Sequence, residues 1–538
     1  MKTKYIFLCA AMVAVSAGAQ TQYDAFRFSD SELNGTARFV GMGGAMGALG
    51  ADISVIGTNP AGIALFRGHD VSTSFSFNST HVKSDFTGVT MKEKKNNMSF
   101  DQIGFVYSTK IGNRTNLRYL NFGFNYHKSN NLNKIFSSGG FLDGLSQTWQ
   151  MANMIGGTVG ALSEIDDIYN YGDVDGIQNP YNVNYPYLGV MGVRTGLVGI
   201  DAVTSKLKGW NGDRNYYNSR EEGGIQQYDF NVSFNVQEKM YFGATLGVYE
   251  VDYRRTTLYE ESINSQSEES GITLNHGGFY QLNNTHRTTG TGFDLKLGAI
   301  FRPIDDSAFR FGFAIHTPTW YTLTDTYNSS IYSDITYQVF DKTENAVKEE
   351  IEQINENVYD YVGGETKQDY RLTTSWKFNV NMGTVFGGIM AVGAEYEFAA
   401  HNHSKLYYYD GYAMTEMNEV INEDVKGLHT LRLGMETRIA PAFSVRAGYN
   451  FSSQAFKKTA YKALASNDMR TDVEYNNKYS QNTVTVGLGY AGRIFYVDLA
   501  YKYNLYKSDF YPFSDSSLAP ARLTNERHQA LMTLGVHF

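Results

Sequence analysis

The chain has 538 residues and a formal net charge of −9, with 40 tyrosines, 34 phenylalanines and 53 glycines against 8 prolines. An acidic chain argues against nucleic acid as a partner, and the aromatic and glycine load favours strands joined by turns over a helical assembly. Past the leader, no apolar run reaches the roughly 18 to 20 residues of a membrane-crossing helix, which excludes a helical membrane protein and leaves a transmembrane barrel open.

The first 19 residues read as a secretory signal. Lys2 and Lys4 form a basic region, Tyr5 to Ser16 an apolar one, and Ala17-Gly18-Ala19 a small-residue cleavage site with cleavage near Ala19. Its removal takes the net charge to −11. The single cysteine, Cys9, leaves with it, so the mature chain has no disulfide, no thiol nucleophile and no cysteine-borne lipid anchor.

From Gly35 to Arg67 the chain is apolar and rich in small residues but lacks strand alternation. Gly41, Gly43, Gly44, Gly47 and Gly50 would each weaken a free-standing helix by about 1 kcal/mol relative to Ala, so the stretch needs a container. Asn59-Pro60-Ala61-Gly62 reads as a turn: proline fixes its own φ and pushes Asn59 out of the α region, and Gly62 permits close backbone approach.

Segments of period two follow. Tyr228, Phe230, Val232, Phe234 and Val236 share one face; Phe293, Leu295, Leu297, Ala299 and Phe301 another; Phe443, Val445, Ala447, Tyr449 and Phe451 a third. About fourteen strands result, near 70–80, 98–110, 117–128, 225–236, 239–258, 287–302, 308–324, 366–379, 389–408, 427–439, 442–454, 479–490, 493–507 and 524–538. Connections alternate between short ones, such as Gln237-Glu238, Ala440-Pro441 and Ala491-Gly492, and long ones at 129–224, 259–286, 325–365, 409–426, 455–478 and 508–523. That asymmetry separates a barrel from a soluble sandwich, which shares the alternation. The last strand alternates through Ala530, Met532, Leu534 and Val536 to a terminal Phe538, which resembles the signal read by the barrel assembly machinery. The expected fold is all-β: a 14-stranded antiparallel transmembrane β-barrel in the cell outer membrane, whose lumen is too wide for side chains alone to fill. Residues 20–68 are expected to plug it, with residues 69–538 forming the barrel and its large external loop 129–224.

The glycine-rich run, Asn59-Pro60-Ala61 with Gly62-Ile63-Ala64, some fourteen strands and the terminal Phe538 together resemble the FadL family of outer-membrane transporters for long-chain fatty acids and other hydrophobic compounds. The resemblance implies a lumenal hatch over 20–68 and passive uptake of a hydrophobic molecule by external capture, hatch rearrangement and lateral exit near a strand kink. It also implies outer-membrane lipid, lipopolysaccharide and the assembly machinery as partners. An acyl chain gains about 0.8 kcal/mol per CH₂ on leaving water, so apolar grooves trap it.

Candidate sites follow. The apolar runs Met151–Leu162 and Tyr187–Val203 in loop 129–224 are expected to form short helices over the mouth, with Met151, Met154, Ile155, Leu188, Val190 and Met191 lining a capture site; the alternative is a loop core in which they pack on each other. Pro318, inside a strand, removes a ladder donor and marks a possible gate or a structural bulge; Gly123, between Asn121 and His127, is a second gate candidate. Arg432, Glu436, Arg446, Asp498 and Lys502 read as a lumenal charge ladder holding the plug. His401 and His403, two apart on a strand, would share a face; this supports either ordinary rim residues or a haem ligand pair, and a haem receptor and a structural or adhesive barrel stand as alternative functions. Asp173-Val174-Asp175-Gly176 reads as a turn, since the other ligands of a calcium loop are missing. No Gly-x-Ser-x-Gly, His-Glu-x-x-His or phosphate loop is present, so no catalytic residue, metal site or cofactor is expected.

Overall fold

The computed structural model describes residues 20–201, 204–269, 271–462, 464–465 and 468–538. The expected leader, 1–19, and the end of the run Tyr187–Val203 lie outside the described residues.

Fourteen wall strands run antiparallel around a closed cylinder. Six come first: Asp70–Phe86, Val89–Lys110, Leu117–Asn131, Gly212–Val236, Met240–Glu269 and Ile272–Phe301. The next three are each interrupted: Arg310–His316 continues as Trp320–Asp341, Lys377–Phe386 follows Thr366–Thr373, and Met390–Ala399 continues as Lys405–Tyr408. Leu428–Ala440, Phe443–Ser452, Tyr475–Ala491, Phe495–Tyr511 and Ala521–His537 complete the wall. The last strand pairs with the first from Asp70 opposite His537 to Asp85 opposite Arg522, and His69 and Phe538 exchange backbone hydrogen bonds beyond it. Closure removes the edge where the first and last wall strands meet, as a lipid-embedded sheet requires.

Alternation decides which face meets lipid. Phe75, Phe77, Phe105, Phe230, Leu246, Leu295, Phe313, Val380, Leu433, Val486, Leu499 and Met532 stand exposed on the outer face and form an apolar belt. Their neighbours Ser76, Asn78, Asn231, Thr245, Lys296, Asn381, Arg446, Thr485, Asp498 and Thr533 are buried on the inner face. An apolar exterior around a polar interior is the inverse of a soluble sheet protein, and it makes this a transmembrane barrel.

Several strands run further than their sequence suggests. The segments expected as loops 259–286 and 325–365 are largely strand: Met240–Glu269 pairs with Ile272–Phe301 along its whole length, and Trp320–Asp341 pairs with Ala346–Asn357. The expected gap between 80 and 98 is likewise a hairpin, turning at Thr87 and Gly88, both of positive φ. Above the lipid the outer face meets water, so the contrast that marks a strand in sequence fades while its hydrogen bonds continue.

The N-terminal segment lies inside the cylinder. A helix spans Gln22–Ser29, a shorter one Ala37–Gly41, and two 3₁₀ turns Ile53–Gly57 and Pro60–Leu65. Asn59 caps the last of these, its Oδ1 accepting from Ala61 N at 3.1 Å while its Nδ2 donates to wall residue Asn381 at 3.2 Å. Gly243 and Gly298 on the wall face this turn, where a Cβ would overlap Pro60 and Asn59. Gly43, with φ +64°, lies so close to the wall that a Cβ would stand 2.8 Å from Tyr449 N. Glycine therefore serves contact here, on both sides of the interface.

Outside, the long connection between the third and fourth wall strands folds into helices Gln147–Gly156, Ser163–Tyr169 and Tyr187–Arg194. The first and third cross where Gly189 and Gly192 admit Ile155 and Met151, at 2.8 and 3.0 Å from where a Cβ would sit.

Candidate functional site: the lumen and a break in its wall

Polar side chains hold the N-terminal segment to the lumen. Arg38 forks onto Glu436 with two bonds of 3.0 Å, and Glu436 also receives Arg446, which reaches Asp498. Lys502 donates to Glu32 at 2.6 Å, and Arg527 does so at 2.9 Å. Arg432 pairs with Glu395 and Glu397 rather than with the segment, and its side chain flanks Gly44. Towards the outside, Arg470 of the loop before Tyr475 is fully buried between Asp24 of the first helix and Asp472. Each of these buried charges is answered by an opposite charge, which offsets its desolvation.

Two lumenal cavities flank this segment. The outer one, about 280 Å³, is walled by Tyr23, Phe26, Phe136, Phe456, Tyr475 and Phe510, with Arg27, Lys134 and Lys478 among its charged groups. The inner one, about 120 Å³, is polar and bordered by His316, Thr317, Thr319, Thr374, Lys377 and His401. Asp30, Ser31 and Glu32, just past the first helix, border both together with wall residues Leu428, Ser452, Gln481 and Asn504, so the two cavities adjoin beside the end of that helix.

The inner cavity meets a defect in the wall. Between His316 and Trp320, Thr373 and Lys377, and Ala399 and Lys405, three neighbouring strands lose their ladder side by side. Pro318 has no N–H to give, and the third strand carries five residues, 400–404, opposite the three at 374–376. A few substitute bonds remain: Thr374 N donates to Thr319 O at 3.0 Å, and Leu295 N to Thr317 Oγ1 at 3.0 Å. Trp320 and Trp376 flank the break on the lipid side. From within, the N-terminal segment covers it: Phe26 meets His401 edge-on with ring centroids 5.4 Å apart, Lys377 donates to Ser29 O, and Thr58 O lies 3.0 Å from His316 Nε2.

The sequence candidates fall as follows. Pro318 sits in the break, whereas Gly123 lies in an uninterrupted ladder between Val106 and Asn231, which corrects it as a gate position. Met151, Ile155, Leu188, Val190 and Met191 are fully buried in one external core, with Met154 packed against it, and none of the six borders either cavity. This packing is the loop core of the second alternative, in which the side chains lie against one another rather than along either cavity. His401 and His403 do not share a strand face either, because they bound a 3₁₀ turn in which His401 is buried and His403 exposed. Of the five plug glycines, Gly43, Gly44 and Gly50 have positive φ; Gly41 and Gly47 do not, and a Cβ on Gly47 would crowd Glu395. The residues sequence reading missed, Arg470, Phe456 and His316, come from loops and strands whose convergence no local pattern announces. Elsewhere, His81, Glu526 and His528 bring their donor atoms within 4.8 Å of one another.

No protein-family model and no curated protein sequence matches the chain. Solved structures do. A FadL homologue of Pseudomonas aeruginosa aligns over 94% of this chain and 99% of its own, at 13% identity and a TM-score of 0.50. The chain has the FadL fold. The toluene transporter TodX of Pseudomonas putida aligns over 94% of this chain and 99% of its own at 12% identity and a TM-score of 0.45, and the toluene transporter TbuX of Ralstonia pickettii over 94% and 99% at 12% and 0.41. In this barrel of FadL fold, the N-terminal segment touches the wall where the wall is broken.

Proposed function

We propose that the protein is an outer-membrane channel for passive uptake of long-chain fatty acids or similar hydrophobic small molecules, and not an enzyme. The observation that carries this is the placement of the N-terminal segment over the break: the helix whose end lies where the two cavities adjoin covers the wall from inside through Phe26 and Ser29. A molecule enters the outer cavity, whose aromatic walls take up an acyl chain; Arg27 and Lys478 there pair with Asp24 and Asp30, and Lys134, over the Phe136 and Tyr506 rings, suits a carboxylate head. Residues 20–68 act as the hatch. When the first helix shifts, the break at 317–319, 374–376 and 400–404 is uncovered and the molecule leaves sideways into lipid. No energy source is required, because partition into the bilayer drives the last step. Phe538 is the end that the assembly machinery reads, and the outer-leaflet glycolipid surrounds the external rim.

Uptake of a labelled long-chain fatty acid into proteoliposomes tests the reading. Transfer faster than in empty vesicles supports it, and equal rates overturn it. A Soret shift on hemin titration, lost in a His401→Ala/His403→Ala variant, would instead favour the haem reading.

A further inference from the structure

We propose that the seam where the barrel closes carries a transition-metal site, built from His81 of the first strand and Glu526 and His528 of the last. The three side chains come together only by strand pairing, His81 lying opposite Glu526 and Ser79 opposite His528. Their donor atoms lie within 4.8 Å of one another, and the two imidazole centroids are 5.3 Å apart. A tetrahedral ion with bonds of about 2.0–2.1 Å would draw such donors to about 3.4 Å, a small rotation for half-exposed side chains.

The hydrogen bonds behind the three residues suit a ligand set. Ser79 Oγ donates to Asn96 Oδ1 at 2.7 Å, so its oxygen accepts from His81 Nε2–H at 3.0 Å; that fixes the tautomer and leaves the Nδ1 lone pair free. Tyr501 Oη lies 2.7 Å from His528 Nδ1, which leaves Nε2 for the metal when Nδ1–H donates to the phenol oxygen. Tyr503 donates to Glu526 Oε1 at 3.1 Å and leaves Oε2 free. Outer partners of this kind orient metal ligands and set their basicity. Two imidazoles and one carboxylate select a borderline ion of the zinc, nickel or copper class and leave a coordination position open. One charge opposes it: Lys94 pairs with His81 from the second strand.

The location gives the site a role. His81 shares the outer face with Phe75 and Phe77, and His528 with Met532 and Leu534, so the cluster stands just beyond the apolar belt, beside Tyr501 and Tyr503. A bound ion ties the first strand to the last at the level of the lipid headgroups.

Zinc titrated calorimetrically into the tag-free, detergent-purified barrel tests this. One equivalent is expected to bind, with affinity reduced at least about tenfold in His81→Ala and in His528→Ala, reduced in Glu526→Gln, and unchanged in His401→Ala/His403→Ala. Lys94→Ala is expected to bind zinc more tightly than the parent, an effect that misfolding does not produce. No binding to the parent barrel, binding indifferent to His81 and His528, or an affinity unaltered by Lys94→Ala would each overturn the proposal.

Discussion

The N-terminal segment and the external helical cap are both glycine-rich and apolar, yet they are held in opposite ways. The cap is an oil drop: Met151, Ile155, Leu188, Val190 and Met191 are completely buried among themselves and the aromatic residues of the surrounding hairpins. The N-terminal segment has an apolar interior of its own but is fastened to its container by ion pairs, Arg38 to Glu436, Lys502 and Arg527 to Glu32, and Arg470 to Asp24. An apolar core loosens only by exposing itself to water, whereas ion pairs inside a polar lumen exchange for water or a passing carboxylate. On the proposed reading, the difference puts the part that moves inside and the part that stays outside.

Breaking the fastening gives the largest effect. Arg470→Leu cuts the link between Asp24 and Asp472, each of which keeps another cation, Arg27 for Asp24 and Lys462 with Arg255 for Asp472, and the loss of these two charged contacts is expected to weaken docking of the first helix by about 3 kcal/mol. Its readout is protease cleavage within residues 20–68 of the folded barrel, and resistance equal to the parent would contradict the fastening. Val190→Asp attacks the other region. Burying an unpaired carboxylate in the cap is expected to cost about 3 kcal/mol or more, to raise hydrogen exchange across 147–194, and to leave exchange within 20–68 and heat-modifiable migration unchanged. Coupled loss of protection in both regions would erase the distinction. Gly298→Ala probes the contact between wall and turn. Its Cβ overlaps Asn59, so a destabilisation of about 1–3 kcal/mol confined to the N-terminal segment is expected, seen as faster exchange at Asn59 to Leu65.

A further effect is one of pH. Burial pushes the Asp468 carboxyl, in the loop that carries Arg470, up to about 7. A raised folded-state value means the fold favours the protonated acid, so stability falls as pH rises from about 4 to about 7 and levels off above. Exchange in the loop 453–474 is expected to quicken over that window, and Asp468→Asn to flatten the dependence. A loop whose protection grew with pH would refute the assignment.

The wall was legible because lipid imposes a strict contrast: Phe230, Val232 and Phe234 against Asp229, Asn231 and Ser233 leave little choice of register. The need of Gly41 to Gly50 for a container was legible for a related reason, since so many glycines cannot order themselves. The break was not. Pro318 hints at it, but its depth depends on three strands failing at one level, a property of register that no single segment contains. The cap was legible only as two alternatives, because an apolar run in a long loop looks the same whether it faces cargo or its own partner; Gly189 and Gly192, which let two helices meet, were the signal for the second. His81 and His528 stand at opposite ends of the chain and become neighbours only when the cylinder closes.

The central claim is sideways exit at the break, and a staple across it is the most direct test. Thr319 and Thr374 face each other there, joined by the bond from Thr374 N to Thr319 O, and the chain beyond Cys9 contains no cysteine to interfere. In a Thr319→Cys/Thr374→Cys barrel, transfer of labelled fatty acid into vesicles is expected to stop when the pair is oxidised and to return on reduction. Equal transfer in the oxidised and reduced barrels would show that cargo leaves by another route.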